Sequence, residues 1–167
     1  MKTTPQKAST EPETRNTERK NAEKILSSLK TTLTMAKAIA SFTPVPGLSK
    51  AIQALLTIIT LYEASSRNKE QLLELKTYIE TEFVAKIVTP IAAASKVNTI
   101  VIIPSDIQER LESLSRQLVV IANDTKSLNI KGARHLIRNA YIPDTLNVVN
   151  RKLGTALRGF WNIRSKL

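Results

Sequence analysis

A chain of 167 residues with 42% hydrophobic residues has room for one core-bearing domain and a tail. The absence of cysteine excludes a disulfide framework or thiolate zinc site. One histidine, His135, cannot form a metal cluster, and four scattered glycines form no phosphate-binding loop, so no catalytic activity, cofactor, metal or small-molecule substrate is expected.

Residues 1–20 contain no Val, Ile, Leu, Phe, Tyr or Trp and read as a disordered polar tail. Nothing in them resembles the apolar core of a secretory signal. A first helix is predicted to start near Thr17–Ala22 and end near Ser41. Its apolar stripe is Ile25, Leu29, Leu33, Ala36 and Ile39, with Leu26, Ala40 and Phe42 beside it. Pro44, Pro46 and Gly47 then turn the chain into the most apolar stretch of the sequence. From Ala51 to Tyr62 only Gln53, Thr57 and Thr60 have polar side chains, besides the terminal Tyr62 hydroxyl. The run is well short of the roughly 20 residues that span a bilayer, so it reads as a core helix enclosed by others.

A third helix is predicted from a cap at Asn68, carrying Leu72, Leu75, Ile79, Phe83 and Ile87 in register, with Pro90 ending or kinking it. Glu70 and Glu74, Lys76 and Glu80, and Glu82 and Lys86 each lie four apart and read as solvated-face charges, not an acid–base site. The β-branched patch Thr99–Ile103 has no partner strand and reads as a linker packed on the bundle. Pro104-Ser105-Asp106 marks the start of a fourth helix, whose seam Ile107, Leu111, Leu114, Leu118, Ile121 and Thr125 suits an antiparallel bundle. This helix should end near Ser127–Asn129. Residues 130–142 form a basic connector in which His135 reads as an ordinary surface residue. Pro143-Asp144 opens a last helix with Leu146, Val149, Leu153, Ala156 or Leu157, and Phe160 on its stripe.

These readings define a fold class: an all-α, antiparallel four-helix bundle followed by a basic connector and a C-terminal brace helix. The expected divisions are a tail at 1–20, the bundle at 21–129, the connector at 130–142 and the brace at 143–167. The net charge of +11 is concentrated at the C-terminal end, where residues 131–167 hold eight basic residues against Asp144 alone. Such asymmetry points to an acidic partner: anionic lipid, nucleic acid or an acidic protein. The residues expected to contact it are Lys131, Arg134, Arg138, Arg151, Lys152, Arg158 and Arg164. Phe160 and Trp161 are expected either to clamp the brace onto the bundle or to anchor it in a membrane interface. A solvated basic face that only aids solubility is the plainer alternative.

The VPGL turn (Val45–Leu48) before an aliphatic second helix, Asn68-Lys69-Glu70 at the third and Pro104-Ser105-Asp106 at the fourth make a pattern. With Ile142, Leu153, Ala156, Leu157 and Phe160 along the last helix, it resembles the fungal N-terminal domains similar to that of the mixed lineage kinase domain-like pseudokinase, the HeLo-related group. The resemblance covers about residues 22–166. It implies a non-enzymatic signalling or adaptor module of the cell-death, necroptosis-like type. Such a module self-associates or binds a partner helical domain, and it engages anionic, phosphoinositide-bearing membranes through basic residues. It further implies a cytoplasmic protein with peripheral association at the plasma membrane, restrained by the brace at Pro143–Ile163. The alternatives are a basic nucleic-acid-binding helical protein, for which no helix-turn-helix spacing, zinc finger or aromatic platform is found, and a purely structural partner-binding bundle.

Overall fold

The computed structural model describes residues 11–65, 69–97, 102–131 and 141–162, and within these ranges the chain is helical except at 43–47 and 102–104, with no strand. Helix α1 is Glu11–Phe42 and α2 is Leu48–Ser65. The third rod is continuous: α3 (Lys69–Thr77) passes into a π-helical stretch, Tyr78–Val88, and resumes as α4 (Thr89–Val97). Helices α5 (Ser105–Lys131) and α6 (Tyr141–Asn162) follow. The sequence expectation of an all-α fold holds.

Paired residues give the direction of each rod. Lys30 meets Glu63 at 2.8 Å and Lys37 meets Gln53 at 3.1 Å, so α1 and α2 run antiparallel. Thr43 hydrogen-bonds Ser95 at 2.8 Å, joining the end of α1 to the end of the third rod. Gly47 abuts Glu112, while Thr57, Thr60 and Leu61 lie beside Thr125 and Lys126, so α2 and α5 run the same way. Gln71 meets Asn147 and Tyr78 meets Arg158, which sets α6 parallel to the third rod and therefore antiparallel to α5. Helix α2 packs between α1 and α5, and α6 packs against α5 on one side and the third rod on the other.

The core follows from the apolar periodicities. Leu48, Ile52, Leu55, Ile58, Ile59 and Tyr62 of α2 are fully buried. They meet Leu26, Leu29, Leu33 and Ala36 from α1, and Leu111, Leu114 and Leu118 from α5, within one contiguous cluster. Leu146, Val149, Leu153, Ala156, Leu157 and Phe160 of α6 belong to that same cluster. Phe42, placed beside the α1 stripe from the sequence, is instead 89% exposed. It lies two residues, about 200° of helical rotation, beyond the buried Ala40 and so faces outward.

Three boundaries differ from the sequence reading. Helix α1 begins at Glu11, so residues 11–20, expected to be disordered, are helical, with exposed side chains from Glu13 onward. Once the buried stripe nucleates a helix, each further residue adds a hydrogen bond. Pro12 falls in the first turn, where its missing N–H costs nothing, and an Arg19–Glu23 pair at 3.0 Å supports the next turns. Pro90 neither ends nor breaks the third rod. It sits in the first turn of α4, and the preceding Thr89 N–H bonds to Val84 O, five residues back. Helix α6 starts at Tyr141, two residues before Pro143, again leaving proline in a first turn. The predicted cap Asn68 and the connector residue His135 lie outside the described residues. Of the expected packed linker, Ile103 is packed against the core and Ile102 is exposed.

The α1–α2 turn has one backbone requirement. Gly47 has φ +83°, and a Cβ there would lie 3.1 Å from the α5 backbone at Glu112 and Leu111. Both the left-handed conformation and the close approach disfavour a side chain. Gly47→Ala should lower unfolding free energy by about 2 kcal/mol in urea titrations with little change in m-value, whereas Gly159→Ala, where a Cβ meets nothing within 4 Å, should not destabilise.

Candidate functional site

Helix α6 carries the chemistry that distinguishes this chain, and its faces differ sharply. The inner face holds the apolar stripe, interrupted by Asn150, which is 1% exposed. A buried amide needs partners for two N–H donors and a carbonyl. Asn150 Nδ2 donates to Gln71 O at 3.1 Å and to Glu74 Oε2 at 2.8 Å. Its Oδ1 accepts from the Tyr62 hydroxyl, which also points at Leu146 O at 3.2 Å. Gln71, itself buried, donates to Asn147 Oδ1 at 2.8 Å. One side chain thus joins α2, α3 and α6, and both the Nδ2 and the Oδ1 of Asn150 are partnered.

Burial pushes the Tyr62 hydroxyl well above the ordinary tyrosine range near 10, and the Glu74 carboxylate adds to the shift. Tyr62 is therefore a neutral hydrogen-bond donor at physiological pH. Glu74, read from sequence as a solvated charge, instead accepts from Asn150 and from Tyr78 Oη at 3.1 Å. Nothing in the spacing of Glu70 and Glu74 signals this role, because the donor lies 76 residues away in sequence.

Beside the junction, Gly154 faces Tyr78. A Cβ on Gly154 would lie 2.7 Å from Tyr78 Oη and 2.8 Å from its Cζ, so the absent side chain lets the third rod close on α6. Tyr78 Oη accepts from Arg158 Nη2 at 3.1 Å.

Among the described residues, the predicted basic residues Arg151, Lys152 and Arg158 take different partners. Lys152 leans toward α5, 3.3 Å from Asp124, with both side chains about half exposed. Arg158 is drawn to the third rod by Tyr78. Arg151 is exposed and makes no ion pair among the described residues. Lys131 closes α5, with its side chain outside the described set. Arg134, Arg138 and Arg164 lie wholly outside it. Phe160 is 6% exposed in the core, with Trp161 edge-on to it at a ring separation of 4.8 Å and 83° between planes. Trp161 is partly buried, and its indole Nε1 has no hydrogen-bond partner among the described residues.

On the α5 side of α6 lies an open groove of about 530 Å³, lined by Val120, Ile121 and Ala156 and bordered by Arg116, Asp124, Arg151 and Lys152. The sequence reading missed it. Val120 is 57% exposed although it adjoins the α5 seam, a position from which periodicity alone does not predict a groove. Among the described residues no group of three or more His, Asp or Glu could hold a metal ion, and no helix is long and apolar enough to cross a membrane. No family model, curated protein or solved structure matches the chain.

The junction makes two predictions. Asn150→Ala removes one buried hydrogen-bond partner each from the Tyr62 hydroxyl, Gln71 O and Glu74 and should cost about 3 kcal/mol, against about 1 kcal/mol for Tyr62→Phe, both measured by urea unfolding. In the second, the unfolded chain releases the Tyr62 proton near pH 10 while the folded chain holds it to a higher pH. The unfolded state then binds fewer protons, so the Tyr62 contribution to stability, complete below pH 10, is lost as pH rises above it. The decline in stability above pH 10 should be shallower in Tyr62→Phe than in the parent; equal slopes would contradict the assignment.

Proposed function

We propose that this protein is a non-enzymatic helical signalling or adaptor module, of the cell-death type its sequence resembles. In this reading it is a four-helix bundle braced by α6, which acts by binding another copy or a partner helical domain and by engaging anionic membranes peripherally. The observation that carries the reading is the division of labour on α6. Its apolar side is committed to the core through the Asn150 junction, while Arg151 and Lys152 remain exposed beside an apolar groove. A helix held in this way displays cations on a rigid frame, which suits recognition better than chemistry.

Basic residues close to an anionic bilayer contribute about 1 kcal/mol each, enough in combination for salt-sensitive peripheral binding. The reading also accounts for the charge asymmetry of residues 131–167, which lies on and around the brace. It requires no membrane-spanning helix.

Co-sedimentation of the full chain at physiological ionic strength, with phosphoinositide-containing and neutral vesicles and with duplex DNA, tests it. Binding to anionic vesicles alone is expected. Arg151→Glu with Arg158→Glu should weaken it about tenfold or more, since each reversal removes an attraction and adds a repulsion. Absence of vesicle binding would overturn the membrane half of the reading. Tighter binding to DNA than to anionic vesicles at equal salt would overturn it in favour of nucleic-acid recognition.

A further inference from the structure

We infer that the α5–α6 groove is the docking site for an acidic amphipathic helix of a partner protein. This inference rests on the adaptor reading and supplies the site and the chemistry of its partner.

The groove has an apolar floor and cationic ends. Val120, more than half exposed, stands over the buried Ile121 and Ala156. Val148, one turn before Lys152 on α6, is 38% exposed. Because α5 and α6 run antiparallel and Lys152 meets Asp124, Arg151 lies at the Asp124 end of the groove and Arg116 at the other. Residues 116 and 124 are separated by about 12 Å of helix, or two turns. Lys152 and Asp124 offset one another, and neither Arg116 nor Arg151 makes an ion pair among the described residues. Two uncompensated guanidinium groups therefore stand at opposite ends of an apolar floor.

That arrangement selects among occupants. The walls are helices whose backbone bonds are internal, so an entering chain finds no strand edge to pair with and must satisfy its own N–H and C=O groups, as a helix does. A single-headed lipid presents its anion at one end, whereas this groove asks for negative charge at both. The protein's own segments outside the described residues (1–10, 66–68, 98–101, 132–140 and 163–167) contain no Asp or Glu. The exposed start of α1 in a second copy is acidic in part, but residues 13–21 include no large apolar side chain to lie on Val120. A foreign helix with two aliphatic residues on one face, flanked by carboxylates about two turns apart, satisfies both floor and ends.

The test is a methyl- and amide-detected NMR titration of the full chain with three synthetic 18-residue helices. The first carries two leucines four residues apart, flanked by glutamates seven apart. The second replaces those glutamates with lysine, and the third replaces the leucines with serine. The first should shift Val120, Ile121 and Ala156 and bind at least tenfold more tightly than either control. Arg116→Glu with Arg151→Glu, both on exposed positions, should transfer the preference to the lysine helix while leaving the melting temperature unchanged. Equal binding of the glutamate and lysine helices, or shifts confined to other surfaces, would overturn the inference. So would groove signals that respond only to anionic vesicles, or only to the protein's own concentration. A chain that binds vesicles but ignores the first helix loses this inference alone, and one that binds the helix but no vesicle loses only the membrane half of the preceding reading.

Discussion

Helix α2 is apolar nearly all round, and water cannot be left against any large part of it. Ile52, Leu55, Ile58 and Ile59 are fully buried, each contributing about 1.5–3 kcal/mol by leaving solvent. That demand sets the arrangement of the other rods. A single amphipathic stripe on α1 covers one side, the heptad-like seam of α5 covers another, and the inner face of α6 completes the enclosure near Tyr62. The α1–α2 turn follows from the same need. Gly47 brings the start of α2 within backbone contact of α5, closer than a residue with a side chain accepts without displacing its neighbour.

The enclosure ends in a polar problem and its solution. Tyr62 finishes the apolar run with a hydroxyl that would be costly to bury alone. Asn150 accepts it and spends its own donors on Gln71 and Glu74. An apolar residue at position 150 would fill the space but leave α6 free to slide along a greasy surface. The amide has full partnership in one register only, and Gly154 against Tyr78 adds a steric check on the same register. That register determines which side of α6 meets water. It puts Arg151 outward, turns Lys152 toward Asp124 and ties Arg158 to Tyr78. The polar junction in the core thus sets the charge pattern on the surface.

The third rod shows how a helix continues past proline. Through Tyr78–Val88 the ladder runs five residues back, and Ile79, Phe83 and Ile87 still fall on the buried side. Pro90 then enters the first turn of a new α segment, where no donor is missed. The apolar spacing of this region is read the same way from sequence for either ladder, since both place every fourth residue close to one face.

The sequence by itself determined the order of the helices among the described residues, the identity of α2 as the core element and most of the buried apolar residues. These follow from local periodicity and from turn chemistry at Pro44–Gly47 and Pro104, which depend on neighbours along the chain. It could not show that helix would extend over residues 11–20 or through Pro90, because propagation from a nucleated, packed segment overrides local composition. It could not reveal the Asn150 junction, whose members lie 76 to 88 residues apart, or that Glu74 serves a buried amide. Nor could it resolve the basic residues into separate roles. Charge is visible in a sequence, but which charges are paired, tied back or left open beside a groove depends on the neighbours that packing supplies, and only the tertiary structure decided that.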